Sequence, residues 1–311
     1  MGTTIAVGNQ KGGVAKTTTC ISLGAALAEM GHRVLLIDLD PQANLTLSFR
    51  VLLIDLDPQA NLTLSFKLTA PPTTAPNDGD AWPGGTSTGS GSIMDALIGN
   101  NTLLGISRKS EIPGLDVAPA GRELVLVDKV FYQVSGYQYR LQEALEATES
   151  ESAGEGCPYD YVLIDCPPSL ATLTLNALTA ADLLIIPVQC ELYAAHSVRQ
   201  MVRLADQVRE QCGHDLRHRL LVTMYDMRNK ISRMILEQLK RGRGGELFET
   251  IIQVDTKLRE SPVYGKPITS YATGSRAAQQ YRALAEELVA VEAEGREPAA
   301  QVREYSAEPY R

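Results

Sequence analysis

The sequence predicts a doubly wound α/β fold: a mostly parallel sheet with helices on both faces. Two observations predict it. Short apolar, β-branched runs (TIAVGN, VLLIDL, LDVAPA, YVLID, LLIIPV, LLVTM and ETIIQ) recur without polar alternation, the pattern of strands buried on both faces. Helical stretches separate several of these runs, as crossovers between parallel strands require.

TIAVGN gives the first strand, and a helix over Thr17 to Met30 follows it. Gly31-His32 then makes a short turn into VLLIDL. A helix near Leu170 to Thr179 follows YVLID, and another over Ala194 to Cys212 follows LLIIPV. The last helix runs from Arg276 to about Ala293 and spaces Tyr281, Leu284 and Leu288 toward the core. Gly295 and Pro298 end it. The expected organisation is one domain over residues 1–295 and a frayed tail over 296–311.

Two features interrupt this plan. Leu68 to Ser92 is rich in Thr, Pro, Gly and Ser and cannot bury enough apolar surface to offset its ordering entropy, so a flexible loop is expected over 67–92. The segment RVLLIDLDPQANLTLSF occurs at Arg33 to Phe49 and again, unchanged, at Arg50 to Phe66. Two identical neighbouring strands joined without a turn cannot fill one slot in a sheet. Copy one follows directly from the short turn after the first helix, whereas copy two would need a long apolar connection. Copy one is therefore expected in the sheet, with 50–66 the surplus copy.

The 311 residues are 44% hydrophobic, which is ordinary for a packed core. No apolar run approaches the roughly 18 residues of a membrane span, and no charged signal region opens the chain, so a cytoplasmic location is expected. The five cysteines are odd in number and lack C-x-x-C spacing, which points to reduced thiols and away from disulfides or zinc and iron–sulfur sites. The net charge of −8 argues against a surface coated in nucleic acid. Bases nevertheless outnumber acids between Arg199 and Arg243, so a local DNA footprint stays open beside plain solvation of helix faces.

The chemistry gathers in IAVGNQKGGVAKTTT. A strand, a glycine-containing turn and a helix start lie in that order, so the amides of Gly12, Gly13, Val14, Ala15, Lys16 and Thr17 can converge on a phosphate chain at the positive end of a helix dipole. Lys16 is placed to reach the β- and γ-phosphates, Thr17 to offer its hydroxyl to Mg²⁺, and Thr18 to bond the α-phosphate. Gln10 and Ala15 stand where a strict phosphate-loop pattern has its outer glycines. A plain glycine turn between strand and helix is the alternative.

NQKGGVAKTTT resembles the deviant Walker A box of the ParA family of DNA-partitioning ATPases, in the Soj-like branch that lacks an N-terminal helix-turn-helix domain. The resemblance implies ATP and Mg²⁺ as cofactors. It also implies a nucleotide-sandwich homodimer in which Lys11 crosses to the partner's nucleotide. Ala15 departs from the commoner glycine. LLIDLDPQANLT resembles the family's switch I, whose second aspartate orients the attacking water: Asp40, or Asp57 if copy two is used. Asp38 is expected to support the Mg²⁺ shell. YDYVLIDCPPSL resembles Walker B and switch II, with Asp165 expected to bind Mg²⁺ through water. NALTAADLLIIPVQCELYA and the stretch from Glu260 to Leu288 read like later family blocks. Segments near Met224 to Arg228 and Gln253 to Asp255 are expected near adenine.

The resemblance further implies non-specific DNA binding through Arg228 and Lys257, with Arg259 sharing the work. It implies slow hydrolysis that a small ParB-like adaptor stimulates, and association with the nucleoid. Rivals fare worse. The acidic tail lacks the basic amphipathic helix of a MinD-like membrane positioner, the cysteines do not suit an iron–sulfur carrier, and the terminal tyrosines are too few for a tyrosine kinase. A hydrolysis-impaired, ATP-dependent DNA-binding scaffold and a ParA-like positioner of a protein organelle stay open as alternatives.

Overall fold

The computed structural model describes residues 2–49, 91–132, 134–151 and 158–296. Among the described residues, seven strands form one sheet in the order β3-β4-β2-β5-β1-β6-β7. They are β1 (Thr3–Val7), β2 (Val34–Asp38), β3 (Arg108–Lys109), β4 (Leu115–Ala118), β5 (Tyr161–Asp165), β6 (Leu183–Gln189) and β7 (Arg217–Thr223). All pairings are parallel except β3 with β4. The doubly wound α/β expectation is met. Copy one of the repeat supplies β2, flanked by β4 and β5. The surplus copy 50–66, with the alternative Asp57, lies outside the described residues, as does the expected loop apart from Gly91 and Ser92. Ser92 caps the short helix Ile93–Leu97. Of the expected tail, only Arg296 is described.

The core has two halves, one on each face of the sheet. On one face, α1 (Lys16–Glu29) packs beside the last helix, Arg276–Arg296, and Tyr281, Leu284 and Leu288 are fully buried as their spacing predicts. Gly24 lets α1 lie close to β2, since a Cβ there would stand 2.7 Å from Leu36 Cδ2. The other face carries the helices Arg140–Glu151, Thr172–Ala180 and Ala194–Cys212.

ETIIQ is not a strand. Glu249 and Thr250 donate their backbone N–H groups to the Glu287 carboxylate at 2.6 and 3.0 Å, and Gln253 N donates to Gln280 Oε1 at 3.0 Å. Side chains of the last helix thus take the amides that a ladder would use. Two isolated bridges, Leu220 with Leu247 and Tyr225 with Gln253, and the Ile252 N–H donated to Val222 O at 2.9 Å tie this stretch to the β7 edge. The sequence reading also missed β3 and the helix Arg140–Glu151.

Candidate nucleotide-binding site

The carboxyl ends of the parallel strands converge where residues 8–15 pass from β1, next to the middle of the sheet, into α1. Asn9, 2% exposed, fixes the start of the turn: its Nδ2 donates to Pro187 O at 2.7 Å, and its Oδ1 accepts from Lys11 N at 3.0 Å. Gly13 has φ 73 and Ala15 has φ 67, both left-handed. Gly13 takes this conformation freely, whereas Ala15 is strained by its Cβ. A Cβ added at Gly12 or Gly13 would meet nothing within 4 Å, so the space beside the turn is open.

The first helix amide with a backbone partner is that of Thr19, which donates to Ala15 O at 2.9 Å. Among the described residues, the N–H groups of Gly12 through Thr18 have none, and α1 has no side-chain cap. Such a row of free amides at a helix start is an anion-binding concavity. Lys16 is buried and folds back over the turn, its Nζ donating to Lys11 O at 3.4 Å. Lys11 pairs with Glu191, just past β6.

Thr17 donates its hydroxyl to Asp165 Oδ2 at 2.6 Å. Asp165 is fully buried at the end of β5, in register with Asp38 on β2, and its Oδ1 has no hydrogen-bond partner among the described residues. Burial first, and then the charge of Asp38, push the Asp165 carboxyl well above its usual range, against the opposing pull of Thr17 and Lys16. A divalent cation fits this edge, because a hydroxyl and an orphaned carboxylate oxygen are hard ligands and the two buried acids outnumber the one buried cation, Lys16. No cluster of three or more His, Cys, Asp or Glu side chains suited to a metal occurs among the described residues, so phosphate and water would complete the shell.

Asp38, expected to support the Mg²⁺ shell, is hydrogen-bonded within its own segment. Its Oδ2 accepts from Thr46 N at 2.8 Å and Thr46 Oγ1 at 2.6 Å, and its Oδ1 accepts from Asp40 N at 3.1 Å. Burial raises its pKa to about 6, although the Thr46 and Asp40 bonds pull it down. Asp40, 6% exposed, accepts from Gln42 N at 2.9 Å and lines a cleft of about 310 Å³ with Pro167, Pro168 and Ser169. The two expected switch segments therefore face each other.

Arg228, Lys257 and Arg259 are exposed, the last two on the short helix Lys257–Glu260. Their parent segments run side by side, with Val254 N donating to Tyr225 O at 3.1 Å. Arg228 is paired with Asp226 through two side-chain bonds of 3.0 Å. Sequence reasoning missed Asn9, Glu191, Thr46 and Thr223. Only Asn9, a polar residue directly after an apolar strand, carried a local signal.

Strand, glycine turn and helix in this order inside a parallel sheet, with Lys16 and Thr17 opening the helix, define the P-loop class of nucleotide-binding folds. The family described as AAA domain matches residues 2–50 and 47–218, and the match breaks at the seam of the repeat. The chain is 36% identical over 289 residues to the chromosome partitioning protein ParA of Caulobacter vibrioides, covering 93% of this chain and 94% of that one. It is also 36% identical over 296 residues to the sporulation initiation inhibitor protein Soj of Bacillus subtilis, covering 93% and 99%. Among solved structures it is similar to the cobyrinic acid a,c-diamide synthase of Mycobacterium smegmatis with bound ATP analog and magnesium. That match has TM-score 0.68, 31% identity and coverage of 95% of this chain and 98% of that one. The chain belongs to the ParA/Soj family of partitioning ATPases. Among the described residues, no helix is long and apolar enough to cross a membrane.

Proposed function

We propose that this chain is a ParA-type ATPase that binds ATP with Mg²⁺, dimerises in the ATP state and holds DNA without sequence preference. It then hydrolyses ATP slowly until a ParB-like adaptor speeds release. The observation that carries this reading is the Thr17–Asp165 pair, with its orphaned carboxylate oxygen, beside the open amides of Gly12 to Thr18. The amides of Gly12, Gly13, Val14, Ala15, Lys16 and Thr17 bind the phosphate chain, Thr18 bonds the α-phosphate, and Lys16 sets its charge against the outer phosphates. Thr17 and Asp165 would hold bound Mg²⁺, which would supply positive charge to the phosphate oxygens.

Asp40 positions the attacking water, and Asp38 keeps Asp40 in place by accepting its N–H and anchoring Thr46. Lys11 leaves Glu191 and reaches the nucleotide of a second copy. Arg228, Lys257 and Arg259 supply phosphate contacts to DNA, for which charge and reach suffice. Nothing resembling an arginine finger stands in the sequence, in keeping with slow unassisted turnover.

Calorimetry with ATP and Mg²⁺ tests the site. Wild type is expected to bind, Lys16→Ala to lose binding, and Thr17→Ala to lose the dependence on Mg²⁺. Binding that survives Lys16→Ala unchanged overturns the reading.

A further inference from the structure

We propose that Thr223, the last residue of β7, is a positioning residue for the phosphate site: it sets the direction in which the Ala15 amide points. The proposal rests on the reading of Gly12 to Thr18 as a phosphate nest. Thr223 is fully buried, and its hydroxyl donates to Val14 O at 3.1 Å, joining the turn to a strand far along the chain. Val14 is itself 1% exposed, so water is a poor substitute partner for its carbonyl.

The consequence follows from the peptide group. It is planar and trans, so its C=O and N–H point in opposite directions. Holding Val14 O toward β7 therefore turns the Ala15 N–H away from β7. Ala15 sits at φ 67 and ψ 35, a conformation that residues with a Cβ leave when nothing holds them. Turning over the Val14–Ala15 peptide changes the Ala15 φ by about half a turn at unchanged ψ, to the negative-φ side that L residues favour. That flip relieves the strain and points the amide away from the phosphates. The Thr223 bond opposes it. A glycine at position 15 would feel no such strain, so the hydroxyl matters here because this chain carries alanine.

The test compares Thr223→Val, Thr223→Ala and Thr223→Ser in the wild-type and Ala15→Gly backgrounds. Calorimetry gives ATP affinity with Mg²⁺, and amide hydrogen exchange of residues 13–17 is followed without nucleotide. Thr223→Val is expected to weaken ATP binding about ten-fold, the equivalent of one buried hydrogen bond, and to speed exchange at Ala15. Thr223→Ser restores both. In the Ala15→Gly background the loss shrinks to about three-fold or less, a coupling that a merely structural residue would not show. Thr223→Ala gives the same pattern and serves if Thr223→Val does not fold. ATP affinity within about two-fold of wild type, equal losses in both backgrounds, or no rescue by serine overturns the proposal. Lys16→Ala is run alongside: if it still binds ATP, the nest reading itself fails and this proposal falls with it, whereas loss in Lys16→Ala with none in Thr223→Val refutes the role of Thr223 alone.

Discussion

Ala15→Gly is expected to make the nucleotide-free protein more stable. Ala15 occupies φ 67, where the Cβ crowds the following carbonyl at about 1–2 kcal/mol for an L residue. Glycine removes that strain but gives the unfolded chain more freedom, worth about 0.4–1 kcal/mol in the opposite direction. The net gain is about 0.5–1 kcal/mol, or a rise in Tm of about 1–3 °C for a domain of this size. Gly13→Ala is the mirror experiment. Gly13 has φ 73, and a Cβ there would meet nothing within 4 Å, so its cost is purely conformational and Tm should fall by a similar amount. Differential scanning calorimetry without nucleotide reads both. A Tm for Ala15→Gly equal to or below that of wild type would show that the turn does not hold residue 15 left-handed, and the strain argument would fail.

Four further outcomes follow from the site and its surroundings. Asp40→Ala should keep ATP binding but trap an ATP-bound dimer without phosphate release; turnover at the wild-type rate would remove Asp40 from the water-positioning role. Arg228→Glu with Lys257→Glu should abolish ATP-dependent retention on DNA at low salt while sparing dimerisation, because each lost phosphate contact reduces the salt dependence by about one counterion. Glu191→Gln frees Lys11 in both copies, and since each exposed ion pair contributes only about 0.2–1 kcal/mol, ATP-dependent dimerisation measured by sedimentation should occur at roughly two- to thirty-fold lower protein concentration. Burial raises the Asp116 pKa above 3.8, against the hydrogen bond from Tyr159 and the charge of Lys109, so the folded state holds this proton more tightly than the unfolded one. Wild type should therefore lose stability relative to Asp116→Asn as pH rises above about 4, and a Tm difference that stays flat between pH 4 and 7 would contradict that sign.

The elements legible in the sequence were those whose signal is local. β1, β2, β5 and β6 are apolar runs with no polar alternation, and α1 and Ala194–Cys212 lie within a residue of their expected bounds. The placement of Lys16, Thr17 and Asp165 at one edge of the sheet was legible for the same reason, each being fixed by its position relative to a strand end. ETIIQ misled because its residues favour strands while three of its amides, those of Glu249, Thr250 and Gln253, are taken by Glu287 and Gln280, a competition visible only once the last helix is docked. β3 is two residues long and the helix Arg140–Glu151 has a weakly apolar face, so neither rises above its surroundings. The repeat posed a question of register that chain connectivity answered: the turn at 31–33 delivers copy one directly to its slot between β4 and β5.

The contacts that sequence could not supply are those that hold the turn from outside. Asn9 ties it to β6, Thr223 ties it to β7, and Thr17 ties the helix start to β5. Three strands thus fix one loop, each through a single side chain whose partner lies well over a hundred residues away. A loop held only by its own turn geometry would relax at Ala15, because nothing local compensates a left-handed alanine. The strain persists because the sheet over-determines the backbone, so the free amides stay aligned before any ligand arrives and ordering them costs nothing further on binding. Asp40 is held with less redundancy: its N–H reaches Asp38 and its carboxylate reaches Gln42, both on the same short segment, with Thr46 as the outer anchor through Ala120 N at 2.9 Å. On the proposed reading, a phosphate nest held from three strands stands beside an Asp40 held only within its own segment, which would separate binding from turnover. That division would suit the slow, partner-stimulated ATPase proposed above.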